Sequence, residues 1–207
     1  KTIFGIALLA GALTLSGCDL DETTYGQTTS KNYYKTQSEI LSALTGAYLQ
    51  LRTTWNEYAL NFYFVGDCST DDALKGGGSD GDRAEVMELS NFTTNSTNGE
   101  VGRRWEILYR LINRCNEVIK YAPNAQGDAT TLARYANEAK ALRAFGYYEL
   151  VTTFGGVPLL TEPMAPSQVL ATPRASADEV WTQIISDCTD AEALPAKGQY
   201  SADEQYH

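Results

Sequence analysis

The stretch Glu138 to Leu160, EAKALRAFGYYELVTTFGGVPLL, constrains the fold of this chain more than any other. Leu132, Ala136, Ala139, Leu142, Gly146 and Leu150 recur at steps of three and four, which draws one apolar stripe along a helix. Ala141, Phe145 and Tyr148 draw a second. A helix apolar on two sides is predicted to lie between neighbours, not on a surface. Ala139 and Gly146 are small and admit a close partner helix. Asp128 is placed to cap the first turn, because its carboxylate can accept the orphan backbone N–H groups there. Gly155-Gly156 predicts the stop, since glycine takes the helix-ending positive-φ conformation at little steric cost. Pro158 keeps the helix from resuming, and an apolar strand or arm follows.

Three further helices are legible. Thr36 and Glu39 have capping-box spacing, and Ile40, Leu44, Ala47, Tyr48 and Leu51 then share a face that ends near Arg52. Val101, Trp105, Leu108, Ile112, Cys115 and Ile119 mark a second core helix, ended by Pro123 and Gly127. Its Arg103, Arg104, Arg110 and Arg114 read as a solvated basic face paired with nearby acids. Ser176 and Glu179 form another capping box, before Val180, Trp181, Ile184, Ile185, Cys188 and Leu194, with a stop at Pro195. The aromatic run Trp55 to Val65 fits either a continuation of the first helix or a short extended piece. Gly66 to Asn98 reads as loop, and Lys75 to Asp82, KGGGSDGD, is too glycine-rich to order cheaply. Pro158, Pro163, Pro166 and Pro173 make Val157 to Arg174 an extended arm laid over the helices and keep it out of a central strand. The chain is therefore predicted mainly α, with tetratricopeptide-like antiparallel helical hairpins, long loops and a proline-rich extended arm. Only Ala141 and Phe145 fit the tetratricopeptide consensus itself.

The composition excludes some chemistries and leaves others open: carboxylates are plentiful enough for a glycosidase pair, although no spacing points to one. A formal charge of −10 over 207 residues excludes the basic footprint that nucleic acid requires and the polybasic patch that anchors to anionic lipid. The one histidine is His207, so no Ser-His-Asp, Cys-His or histidine–metal site can be built within the folded part. Asp80 and Asp82 start a cation loop that Ala84 and Glu85 break, and no cofactor or metal is expected. The glycines likewise fail as a phosphate loop. Cys68, Cys115 and Cys188 lack CxxC spacing and allow at most one disulfide; Cys115 and Cys188 fall on apolar faces and read as buried thiols. Sugar binding needs flat apolar faces for pyranose C–H groups, with amides or carboxylates for hydroxyls. Trp55, Tyr58, Asn91 and Asn95 are the candidates for that role. For Trp55 and Tyr58 the alternative is packing against the first helix.

The amino terminus points to a membrane surface. Ile3 to Leu15 is uncharged, has the length of a signal-peptide apolar region and is too short to span a bilayer. Leu15-Ser16-Gly17-Cys18 then fits a lipoprotein signal peptidase site, giving a signal peptide at 1–17 and acylation of Cys18. An ordinary signal with an incidental cysteine is the alternative. Each buried methylene of an acyl chain contributes roughly 0.8 kcal/mol, so two or three chains on one cysteine would anchor durably. Residues 18–35 are acidic, then polar, and read as a tether.

Three segments carry a family resemblance. ALRAFGYYELVTTFGGVPLL resembles the signature helix and turn of the SusD/RagB family, the outer-membrane nutrient-binding lipoproteins of Bacteroidetes-type bacteria. SGCDLDETTYGQTTSKNYYKTQSEILSALTGAY resembles that family's amino terminus, and RRWEILYRLINRCNEVI its second core helix. The resemblance implies that 36–207 is the amino-terminal part of a longer helical domain. It implies no catalytic residues, an oligosaccharide or similar nutrient as ligand, and a SusC-like TonB-dependent transporter as partner. It implies a protein lipid-anchored and exposed at the outer membrane, with the acidic stretch after Cys18 accompanying export. A helical-repeat scaffold that binds only protein is the second reading, and a lipid-anchored hydrolase the third.

Overall fold

A computed structural model describes residues 33–52, 58–79, 81–196 and 198–200. The expected signal peptide at 1–17, Cys18, most of the expected tether at 18–35, Trp55, Asp80 and His207 lie outside the described residues. The described chain is helical: α1 Gln37–Tyr48, α2 Tyr58–Val65, α3 Ala84–Ser90, α4 Gly99–Tyr121, α5 Ala129–Phe154, α6 Pro166–Ala171 and α7 Ala177–Ala191. Its only β pairing is two isolated bridges, Thr36 with Gln126 and Pro158 with Arg174.

Local sequence sets the helix starts. Thr36 and Glu39 close a full capping box on α1, and Ser176 and Glu179 close one on α7. Asp128 Oδ1 accepts the Thr131 N–H at 2.8 Å. That bond holds the Asp128 carboxyl below its usual range, as backbone donors do for Glu39. α5 ends at Gly155, φ 70° and ψ −136°, a conformation open essentially to glycine alone. At Gly156 the limit is space, because a Cβ there would collide with the Ala175 backbone carbonyl.

α5 is the central element, as its two-sided pattern predicts. Its first half joins α1 and α4 in a core of Ile40, Leu44, Leu111, Cys115, Leu132 and Ala139. Its second half joins α4 and α7 in a core of Leu108, Ile112, Tyr147, Leu150, Val180 and Ile184. Burying each large aliphatic side chain contributes about 1.5–3 kcal/mol. α4 and α5 form an antiparallel hairpin: Arg104 meets Glu149, Ile112 lies against Gly146, and Asn116 bonds Arg143. Val157 to Glu162 lies over this hairpin. The Tyr147 hydroxyl donates to the Leu160 carbonyl (2.8 Å) and accepts the Leu160 N–H (2.6 Å), while Asn116 Nδ2 donates to the same carbonyl (2.9 Å).

Several expectations need correction. The second buried side of α5 is Arg143, Ala144, Tyr147 and Val151; Tyr148 faces outward. Arg104 is not solvated but 5% exposed, because its partner Glu149 is carried inward on α5. Cys188 is exposed, since Asp187 takes the inward position of that turn to reach Arg143; only Cys115 is buried as expected. Trp105 is more than one-third exposed, packed beside Tyr109 and Phe154. The loop-rich section contains α3, and the proline-rich arm contains the short α6. The aromatic run resolves as a separate helix, α2.

Candidate functional site

The described residues offer one loop that presents an aromatic ring among amides and hydroxyls. It joins α3 to α4 and is tied at both ends. Asn91 closes α3, its N–H reaching the Met87 carbonyl at 2.9 Å. Asn98 caps α4 by accepting from the N–H groups of Glu100 and Val101, and its amide reaches back to Glu85 O and Glu88 Oε2, both at 2.9 Å. Between them Asn95 Oδ1 accepts from the Thr97 N–H and hydroxyl, an Asx turn. Thr93 N–H and the Thr94 hydroxyl both bond the Glu88 carbonyl.

Phe92 sits at the crest of this loop, 70% exposed, with φ 56°. A bulky residue with positive φ is uncommon and costs roughly 1–2 kcal/mol. Such strain persists where surrounding bonds over-determine it, and it clusters at ligand-binding sites. Here the Phe92 N–H bonds Leu89 O, fixing the ring outward in a run of Asn, Ser and Thr. The loop can therefore offer a flat apolar face beside the exposed Asn91, Asn95 and Ser96 side chains, the combination a pyranose needs.

The start of α4, where the loop ends, is tied by buried polar contacts. Glu100, buried at the start of α4, accepts from the Asn61 amide and pairs with Arg83 at 3.4 Å and Arg103 at 3.7 Å. The Arg83 guanidinium lies 4.7 Å from the Phe64 ring centre. Cys68 lies at the foot of this region, and burial and the nearby Asp67 push its thiol up. Burial pushes the Cys115 thiol up to about 12. Neither is a thiolate near neutrality.

Of the four residues singled out for sugar contact, Asn91 and Asn95 share this loop and are exposed. Tyr58 opens α2, one turn before Asn61, which touches the start of α4. Trp55 lies outside the described residues. Phe92, which shares the loop with Asn91 and Asn95, was not among the four, although it stands out as a lone aromatic inside SNFTTNSTN.

A SusD-like family model, described as starch-binding associating with outer membrane, matches residues 20–207. The chain belongs to the SusD-like family. SusD-like protein P2 of Formosa agariphila is 29% identical over 203 residues, covering 96% of this chain and 39% of that protein. SusD-like protein P38 of the same organism is 28% identical, covering 91% of this chain and 36% of its own length. The chain thus spans under two-fifths of these SusD-like relatives. Among solved structures, a laminarin-binding SusD-like protein superposes with TM-score 0.67 at 32% identity, over 76% of this chain and 34% of that one. Surface glycan-binding protein A from Bacteroides uniformis gives 0.70 at 29% identity, over 82% and 37%. The helical hairpins are therefore those of the SusD-like fold. No helix among the described residues is long and apolar enough to cross a membrane.

Proposed function

We propose that this chain is the amino-terminal part of a surface lipoprotein that binds an oligosaccharide and delivers it to a SusC-like TonB-dependent outer-membrane transporter. The reading rests most heavily on the SusD-like match across residues 20–207, together with the likeness to a laminarin-binding SusD-like protein and a surface glycan-binding protein. The outward Phe92 ring between Asn91 and Asn95 supports it as a sugar-facing ledge, with Trp55 and Tyr58 as further contacts from the preceding segment. The protein binds and hands over its ligand without cleaving it.

Calorimetric titration of the full-length protein against neutral glucan and galactan fragments tests this. Binding is expected with the glycan recovered intact, and Phe92→Ala is expected to weaken it about tenfold, the loss of one aromatic stacking contact. No heat with any glycan would instead favour a scaffold that binds only protein.

The anchor is tested separately. Cys18 is proposed to be the acylated first mature residue, with 1–17 removed and 18–35 acting as tether. Cys18→Ala is expected to move nearly all of the protein from the membrane fraction to the soluble fraction. A variant still sedimenting with membranes would remove the lipid anchor from the proposal.

A further inference from the structure

About three turns along α4 from the Phe92 loop, a cleft of about 480 Å³ opens between α4 and α1. Its volume falls within the roughly 300–1,000 Å³ of small-ligand sites. Its chemistry differs from that of the loop. Arg110 and Arg114 stand one turn apart on α4, where like charges repel. Arg110 gives Nη2 to Glu106 at 2.5 Å in an exposed pair worth little. Arg114 meets no carboxylate among the described residues; Nη1 donates to the Gly46 carbonyl at 3.1 Å, which leaves the rest of its fork uncommitted. Glu117, the acid nearest in sequence, also lines the cleft, where its carboxylate accepts from the Tyr34 hydroxyl. In a chain of net charge −10, an uncompensated guanidinium over a cleft calls for an explanation.

The cleft is also built. Gly46 sits inside α1, where glycine costs roughly 0.5–1 kcal/mol against alanine. A Cβ there would come 2.9 Å from Arg114 Nη1, so the missing side chain is the space that seats the guanidinium. Tyr34 has φ 65°, one of three non-glycine residues with positive φ among the described residues. It stacks on Tyr121 at 4.7 Å and meets Tyr33 edge-on at 4.8 Å. The Tyr33 hydroxyl and the Asn113 amide, both lining the cleft, have no partner among the described residues.

We infer that this cleft is a second carbohydrate subsite, which takes a pyranose carrying an anionic substituent between Arg110 and Arg114. The guanidinium forks match the planar oxygens of a carboxylate or the oxygens of a sulfate ester. Asn113 and the Tyr33 hydroxyl bind ring hydroxyls, and the Tyr33 ring covers a C–H face. The inference rests on the carbohydrate-binding reading above and adds an acidic ligand class to it.

The test is calorimetry on the full-length protein with two matched pairs and a neutral reference. The pairs are trigalacturonate with its methyl ester, and a sulfated galactan fragment with its desulfated form; a laminari-oligosaccharide is the reference. The charged member of one pair is expected to bind at least about tenfold tighter, and the pair that discriminates identifies carboxylate or sulfate. Arg114→Gln is expected to reduce that preference to about twofold or less. Gly46→Ala, which favours the helix but crowds Arg114, is expected to cut the preference with no fall in Tm. Equal binding within both pairs, with the neutral fragment still bound, overturns the subsite and leaves the glycan reading standing. No binding of any fragment overturns both. Full preference retained in Arg114→Gln, or equal affinity for free acetate or sulfate, overturns the subsite.

Discussion

Replacing Arg143 with methionine is expected to cost about 3–5 kcal/mol of stability, the usual result of stranding one member of a buried ion pair. For a domain of this size that lowers Tm by on the order of 10 °C. Arg143 Nε and Nη2 donate to the two Asp187 oxygens at 2.8 and 2.7 Å, with Asp187 only 1% exposed. Nη1 donates to Asn116 Oδ1 and to the Thr161 carbonyl. One side chain thus joins α4, α5, α7 and the arm. Removing it leaves a carboxylate, an amide oxygen and a carbonyl short of donors, with Gln183 the only other side chain bonded to Asp187 among the described residues. The double variant Arg143→Met, Asp187→Leu is expected to recover most of the loss, because no buried charge then remains unpaired. Denaturant midpoints for the four proteins of the cycle measure it. A single variant within about 1 kcal/mol of the parent would refute the role given to Arg143.

What the sequence made legible was local. The Thr36, Asp128 and Ser176 caps depend on side chains within three residues, and all three formed as expected. The main buried stripe of α5 followed from periodicity and its end from a glycine pair, whereas its second buried side runs through Arg143, Ala144, Tyr147 and Val151 and not through the stripe read from sequence. What stayed illegible depends on partners far along the chain. Arg103, Arg104, Arg110 and Arg114 look alike in sequence, yet Arg104 is buried because Glu149, 45 residues later, lies opposite it. Tyr147 and Tyr148 are adjacent aromatics on one helix. Tyr147 turns inward because Leu160 returns over α5 to receive its hydroxyl, whereas Tyr148 stays half-exposed, edge-on to Trp181. α3 is only seven residues long, too short for a periodic signal, so the loop it positions read as featureless polar sequence. Asn91 and Asn95 were singled out by residue type; Phe92 stood in the same run as a lone aromatic, but its outward presentation needed the backbone geometry.

Buried pairs of this kind bind the hairpins together but leave each carboxylate dependent on a single cation, and pH exposes that dependence most clearly at Glu149. Arg104 and Glu149 are both 5% exposed, and Arg104 Nε also reaches the Thr153 hydroxyl at 3.1 Å. Burial holds the Glu149 carboxyl above its usual range, and Arg104 opposes part of that rise. In Arg104→Met the burial acts unopposed, so Glu149 in the folded protein keeps its proton further towards neutrality. A folded value raised above the unfolded one, about 4.5 for glutamate, favours the fold at low pH, and that contribution is lost as pH rises through the folded value. Arg104→Met is therefore expected to be destabilised by about 3–5 kcal/mol at pH 8 and by clearly less at pH 5. The capping carboxylates Glu39, Asp128 and Glu179 have lowered values and the opposite sign: they weaken the fold only as pH falls below their unfolded range. Between pH 5 and 8 those caps stay ionised, so the window isolates Glu149. Adding Glu149→Gln to Arg104→Met should flatten the profile. If the stability of Arg104→Met instead ran parallel to the parent from pH 5 to 8, Glu149 would not depend on Arg104 for its charge.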